Sequence, residues 1–158
     1  MSESPSPTLR ARQAMPDDLE ILVEFNAAMA RETEGKALDR DRLRAGVAAV
    51  LTDGDRGFYL VAESAGTVVG QLLVTFEWSD WRNGYFWWIQ SVYVAPEHRR
   101  RGVYRMLETR VRDEARRRGH VCGLRLYVAR GNRIAQRVYA NLGMRRSQYE
   151  MFEVDLMP

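Results

Sequence analysis

One cysteine, Cys122, stands among the 158 residues, so no intramolecular disulfide can form. The two histidines, His98 and His120, add too few ligands for a zinc site. Lysine is as scarce as cysteine, Lys36 being the only one. No apolar run approaches the ~18 residues of a membrane span, and the densest, residues 85–89, is far shorter. The first seven residues lack both a basic segment and an apolar one, so they read as a frayed Ser/Pro tail rather than a signal peptide. The expected compartment is the cytoplasm, with no membrane partner and no metal.

What is present is an ordinary globular composition, 46% hydrophobic and 28% charged, in a length that suits one domain. The net charge of +3 conceals a split. Residues 99–146 hold fifteen arginines against three acids, whereas residues 1–98 hold nine basic side chains against fifteen acids. A basic third quarter suits an anionic partner, and the acidic first half suits a cationic one. The planar fork of arginine matches phosphate.

Alternation over residues 8–14 predicts a first strand. Pro16-Asp17-Asp18 opens a helix that carries Leu19, Leu22, Val23, Asn26 and Ala30 on one side and stops at Gly35. Asp39 caps a second helix through Leu43, Val47, Val50 and Leu51. The period then falls to two. Strands are expected over 58–63, 67–78 and 85–94, joined at Ala65-Gly66 and at Asn83-Gly84. Residues 102–118 return to helical spacing and end at Gly119. A strand over 123–129, a helix over 132–142 stopped by Gly143, and a last strand over 149–156 complete the chain. The order β-α-α-β-β-β-α-β-α-β predicts an α+β (mixed α/β) domain, residues 8–158, behind a disordered tail, residues 1–7.

Two segments carry chemistry. In the first, Val92-Tyr-Val-Ala-Pro96 closes a strand, and Arg99-Arg100-Arg101-Gly102 leads into a helix that includes Arg105. Unfilled backbone N–H groups, the positive end of the helix dipole and the arginines converge there, as a pyrophosphate site requires. The second runs from Leu124 through Asn132 to Ala135, Tyr139, Gly143 and Met144. Together they resemble the cofactor core of the GNAT superfamily, the acetyl-CoA-dependent N-acetyltransferases. The first is similar to its Arg/Gln-x-x-Gly-x-Gly/Ala phosphate loop. The second is similar to its Asn-x-x-Ala-x-x-x-Tyr-x-x-x-Gly-Phe signature, with Met144 where Phe is commoner. The resemblance extends over nearly the whole chain. It departs at Arg100, where the family commonly has glycine, and at Tyr104, where it has a small residue.

The resemblance implies a GNAT-like fold: a mostly antiparallel mixed sheet of six or seven strands flanked by about four helices. It also implies acetyl-CoA as co-substrate and an acyltransferase activity toward a primary amine, by direct attack in a ternary complex. Backbone groups of Val92, Tyr93 and Val94 would pair with the pantetheine arm, one amide polarising the thioester carbonyl. Arg99, Arg100, Arg101, Gly102, Val103 and Tyr104 would hold the pyrophosphate, and Asn132 would hydrogen-bond the pantetheine region. Tyr139 would protonate the departing thiolate, since a phenol near ~10 is neutral where a thiol near ~8.5 leaves. The fourth-strand stretch Trp87-Trp88-Ile89-Gln90-Ser91 lacks the carboxylate that serves as base in many members. Glu32, Glu34, Glu77 and Asp80 are the candidates, with Glu34 and Glu77 first because both flank the expected acceptor cleft.

Seven aromatic residues gather between Phe76 and Trp88. Alternation sends Trp87 and Trp88 to opposite faces, so they do not share a role: inward rings fill the core and outward ones seal a hairpin or dimer face, or one or two rings line the acceptor pocket. His98 reads as a surface residue of the exposed turn, His120 as favouring the helix C-terminus, and Cys122 as packing at a strand start. The acceptor class is a small-molecule or peptide amine, and family habit with the aromatic hairpin points to a homodimer. Two other classes compete: a catalytically silent acyl-CoA sensor on the same fold, and a nucleic-acid binder using Arg110 to Arg118. The second lacks any helix-turn-helix, zinc-finger or RRM signature and is flanked by acids. One cofactor does not require the arginines beyond Arg105.

Overall fold

The computed structural model describes residues 8–157, so the expected tail over 1–7 lies outside the described residues. The described chain falls into two units, one running through Tyr127 and one beginning at Val128.

The first unit is a five-stranded sheet, β1 (Leu9–Gln13), β2 (Phe58–Ser64), β3 (Thr67–Ser79), β4 (Gly84–Val94) and β5 (Val121–Arg125), with strand order equal to chain order. The first four strands are antiparallel, and β5 runs parallel to β4. Ala65 and Gly66 both take left-handed backbone between β2 and β3, and Asn83 does so before β4. Those are the turns the sequence predicts.

Helices cover both faces. On one, α3 (Val103–Arg118) buries Val103, Leu107, Val111 and Ala115 against Leu60, Leu72, Val74, Trp87 and Ile89. On the other, α1 (Leu19–Glu34) and α2 (Arg40–Thr52) bury Leu22, Val23 and Val47 against Tyr59 and Val61. A fully buried aliphatic or aromatic side chain contributes about 1.5–3 kcal/mol, and these two layers supply most of the apolar burial. α1 starts after a 3-10 turn at Pro16–Asp18 and stops at left-handed Gly35. Asp39 caps α2 by accepting from the Arg42 amide at 2.9 Å. Gly70 lets α3 lie close to β3, because a Cβ there would stand 2.9 Å from Val103 Cγ1 and 3.3 Å from the Tyr93 carbonyl oxygen.

The second unit contains α4 (Arg133–Asn141), capped by Asn132, whose side chain accepts from the Ala135 amide at 3.1 Å. Gln136 ties the preceding loop to the helix by donating to the carbonyls of Ala129 and Arg130. Left-handed Gly143 follows, and Met144 N–H closes back on the Tyr139 carbonyl at 3.0 Å.

Three expectations need correction. The sheet has five strands among the described residues, not six or seven. The strand expected over 123–129 is β5, displaced to begin at Val121 and ended at Arg125, where the ladder with β4 stops. The alternation over 149–156 forms no strand among the described residues. At its two ends Ser147 Oγ accepts from the Tyr149 amide and Asp155 Oδ1 from the Met157 amide, the kind of local bond that competes with a ladder. A period of two fixes sides, not partners.

Candidate active site

The site begins where β4 departs from regular pairing. Tyr93 faces Gln71 and Gln90 faces Leu73, so two residues of β4, Ser91 and Val92, oppose Leu72 alone. This is a β-bulge, and Ser91 adopts φ +51° within it. β5 pairs with β4 only from Tyr85 to Trp88. The β4 backbone from Ile89 to Val94 therefore has no strand on its β5 side among the described residues. Backbone groups left without a ladder can accept an extended ligand as an added strand.

The turn after β4 is built from backbone bonds. Ala95 N–H reaches the Val69 carbonyl at 2.9 Å, and a 3-10 turn over Pro96–His98 follows. Arg100 (φ +61°) and Gly102 (φ +78°) are both left-handed. The resemblance marks position 100 as a common glycine, and the observed conformation is the one glycine adopts without strain. Gly102 is the N-cap of α3 and supplies no side-chain cap. Val103 is buried against Gly70, and Tyr104 is half-buried against the core on the α3 face. Its ring thus packs away into the core, which accommodates the departure from a small residue.

Arg99 is engaged within the chain. Its Nε donates to the Val94 carbonyl at 2.8 Å and its Nη2 to Glu32 Oε2 at 2.7 Å, with the guanidinium 5.3 Å from the Tyr93 ring centre. Tyr93 donates its hydroxyl to Glu32 Oε1 at 3.2 Å, and its ring rests on Phe25. Burial, then the nearby Glu32 charge, raise the Tyr93 phenol above its ordinary value. The end of α1 is in this way tied to the expected phosphate turn. Glu34 ends α1 with its carboxylate 3.5 Å from Lys36 Nζ, both well exposed.

Glu77 lies on the sheet face opposite α3. It accepts from Trp88 Nε1 at 3.0 Å and from Arg125 at 2.8 Å, and Arg125 stacks 3.5 Å over the Phe86 ring. Trp88 also meets Tyr127 at 6.2 Å, and Gln90 donates to Thr75 Oγ1. Trp87, on the other face, is buried at 1% exposure among Phe58, Phe76 and the α3 side chains. The two tryptophans divide as alternation predicts. Trp78 and Trp81 are exposed. Cys122 packs at the start of β5, its thiol 3.3 Å from the Tyr85 carbonyl, and His120 sits edge-on to Tyr85.

In the second unit, Asn132 spends its side-chain oxygen on the α4 cap. Tyr139 lies on α4, and burial raises its phenol above the ordinary value. It therefore stays protonated across the neutral range.

The sequence reading missed a buried polar group beneath the bulge. Gln71, 0% exposed, donates Nε2 to the Ser91 carbonyl at 3.0 Å. Buried Asn26 donates to the Leu22 carbonyl at 2.8 Å and to the Tyr59 hydroxyl at 3.3 Å. The available signal was one amide inside an apolar strand, between Val68-Val69-Gly70 and Leu72-Leu73-Val74. The arginines of α3 also find partners: Arg112 with Glu108, Arg116 with Asp113, and Arg117 and Arg118 with Glu114. Four arginines of the basic stretch are thus bound within their own helix. Among the described residues no three His, Cys, Asp or Glu side chains gather as a metal site would need, and no helix is long and apolar enough to cross a membrane.

The sequence profile of the acetyltransferase (GNAT) family matches residues 19–144. A possible acetyltransferase from Clostridium difficile 630 has a similar structure, with 42% identity, a TM-score of 0.89, and 95% of this chain and 99% of that chain covered. A predicted acetyltransferase from Clostridium acetobutylicum, crystallised with acetyl-CoA, superposes with TM-score 0.76 at 19% identity over 94% of this chain and 97% of that one. An aminoglycoside N-acetyltransferase in complex with CoA does so with TM-score 0.77 at 17% identity, over 98% of this chain and all of the other. These last two show likeness of fold. No curated protein matches the sequence.

Proposed function

Since the chain belongs to the GNAT family of acetyltransferases, we propose that it moves an acetyl group from acetyl-CoA to a primary amine by direct attack in a ternary complex. The observation that carries this reading is the side of β4 from Ile89 to Val94 that no strand covers among the described residues, which runs straight into the turn at the start of α3. Backbone groups of Val92, Tyr93 and Val94 receive the pantetheine arm, and one amide polarises the thioester carbonyl. Residues 99–104 hold the pyrophosphate with the turn's backbone N–H groups, the helix dipole and arginine charge. Asn132 contributes its amide nitrogen to the pantetheine region, because its oxygen is committed to the α4 cap.

The amine attacks the acetyl carbon, the C–S bond breaks, and the thiolate takes a proton from Tyr139. The raised phenol pKa keeps that proton available at neutral pH. A carboxylate removes the proton of the amine. Glu34 and Glu77 are the two candidates, and Glu77 shares its surroundings with Trp88 and Tyr127, rings suited to a cationic acceptor. The acceptor is a small-molecule or peptide amine. Residues 8–158 act as one acetyltransferase domain, in the cytoplasm, as a homodimer.

An amine panel read by thiol release tests the reading, followed by Glu34→Gln and Glu77→Gln on any active acceptor. Acetyl-CoA binding with no turnover on any amine would instead support a silent acyl-CoA sensor. Nucleic-acid binding loses support from the pairing of four α3 arginines with acids on the same helix.

A further inference from the structure

The bulge that opens β4 rests on an uncomfortable backbone. Ser91 sits at φ +51° inside a strand, a conformation that L-residues avoid and that persists only where the surroundings enforce it. A buried group meets Ser91 there: Gln71 donates Nε2 to its carbonyl at 3.0 Å. Gln71 is a costly residue to keep there. It is fully buried, and its Oε1 has no hydrogen-bond partner among the described residues. An unpaired buried carbonyl is destabilising, so leucine of similar volume would serve packing alone at least as well. The amide must therefore supply something that leucine cannot, and the only bond its side chain makes among the described residues is to Ser91.

We infer that Gln71 is a positioning residue for acetyl-CoA: by clamping the Ser91 carbonyl it holds the left-handed kink that turns the backbone of residues 92–94 toward the pantetheine arm. The inference rests on the acetyl-CoA reading above. Gln71 itself touches neither substrate nor reacting atoms; it acts through Ser91. Without the clamp Ser91 relaxes toward ordinary strand angles, and the ladder slips by the one residue that the bulge inserts.

The test uses the full chain and acetyl-CoA, with binding measured by calorimetry and folding by thermal melting. Gln71→Leu is expected to fold and to bind acetyl-CoA about tenfold more weakly, the factor that the left-handed preference of a non-glycine residue represents. Ser91→Gly added to Gln71→Leu is expected to restore most of the affinity, since glycine takes φ +51° without a clamp. Unchanged affinity in Gln71→Leu, or a double variant as weak as the single one, overturns the inference. Should Gln71→Leu fail to fold, the double variant decides: folding and binding regained support the clamp, and failure of both overturns it. If the unmodified protein binds no acetyl-CoA, the functional reading fails. The clamp is then judged by melting alone, where Ser91→Gly must restore whatever stability Gln71→Leu removes.

Discussion

Arg99 and Glu32 meet at 2.7 Å across the sequence, joining the last turn of α1 to the turn that follows β4. The same arginine is one that the phosphate reading assigns to the cofactor. A pyrophosphate arriving at the turn competes with Glu32 for that guanidinium. Glu32→Gln is accordingly expected to tighten acetyl-CoA binding, and Arg99→Ala to weaken it. Both groups are about two-fifths exposed, and exposed pairs contribute about 0.2–1 kcal/mol, so the gain is at most about fivefold. Titration calorimetry at low salt checks it, and weaker binding in Glu32→Gln counts against the competition.

Tyr139 provides a sharper separation of binding from turnover. Tyr139→Phe removes only the hydroxyl and is expected to lower thiol release by about a hundredfold, the low end for loss of a general acid. Acetyl-CoA affinity should stay within about twofold. Because burial raises this phenol, the unmodified enzyme should show no alkaline loss of rate from Tyr139 below about pH 10. Equal rates for the two proteins on an active amine would remove Tyr139 from the mechanism.

Asp18 links stability to pH. It accepts two bonds from Arg12, at 2.8 and 3.0 Å, and one from the Met15 amide at 2.7 Å, and the Arg12 bonds hold its carboxyl below the ordinary value. A carboxyl with a depressed folded pKa gives stability that is present above its unfolded value, near ~3.9, and lost as pH falls through the folded one. Asp18→Asn should cost about 1–3 kcal/mol at pH 7. Denaturant melts between pH 5 and pH 2 should show a smaller acid loss in the variant than in the unmodified protein. Parallel pH curves would disprove the linkage.

Gly70 sets the approach of α3 to the sheet. Gly70→Ala brings a Cβ to 2.9 Å from the buried Val103, at the first residue of the helix. Overpacking of that kind costs about 1–3 kcal/mol. Since Val103 begins the helix whose start the proposed function assigns to the phosphates, acetyl-CoA affinity should fall with stability. A variant with a lowered melting temperature and unaltered affinity would separate the two.

Local chemistry made much of the fold legible. Gly35 and Gly119 stop helices, Asp39 caps one, and Ala65-Gly66 and Asn83-Gly84 turn the strands as their residue types demand. The arginine turn before α3 was legible for the same reason, as a strand end, a glycine and a helix start in sequence. Non-local features were hidden. Ser91 carries no mark of a left-handed residue, since its kink depends on Gln71, twenty residues earlier. The Arg99–Glu32 pair spans still more chain and has no periodic signature. Residues 149–156 show the converse failure, an alternation that finds no strand partner among the described residues.

The arginine ladder of α3 has a chemical consequence besides its charge. A guanidinium stays protonated and offers no nucleophilic nitrogen at neutral pH, whereas a lysine amine is the kind of group an acetyl donor caps. A surface that used lysine for these ion pairs would present a row of competing acceptors. Built from arginine, the helix offers acetyl transfer no amine to modify. Lys36, next to Glu34, is the one side-chain amine in the sequence that acetyl transfer could modify.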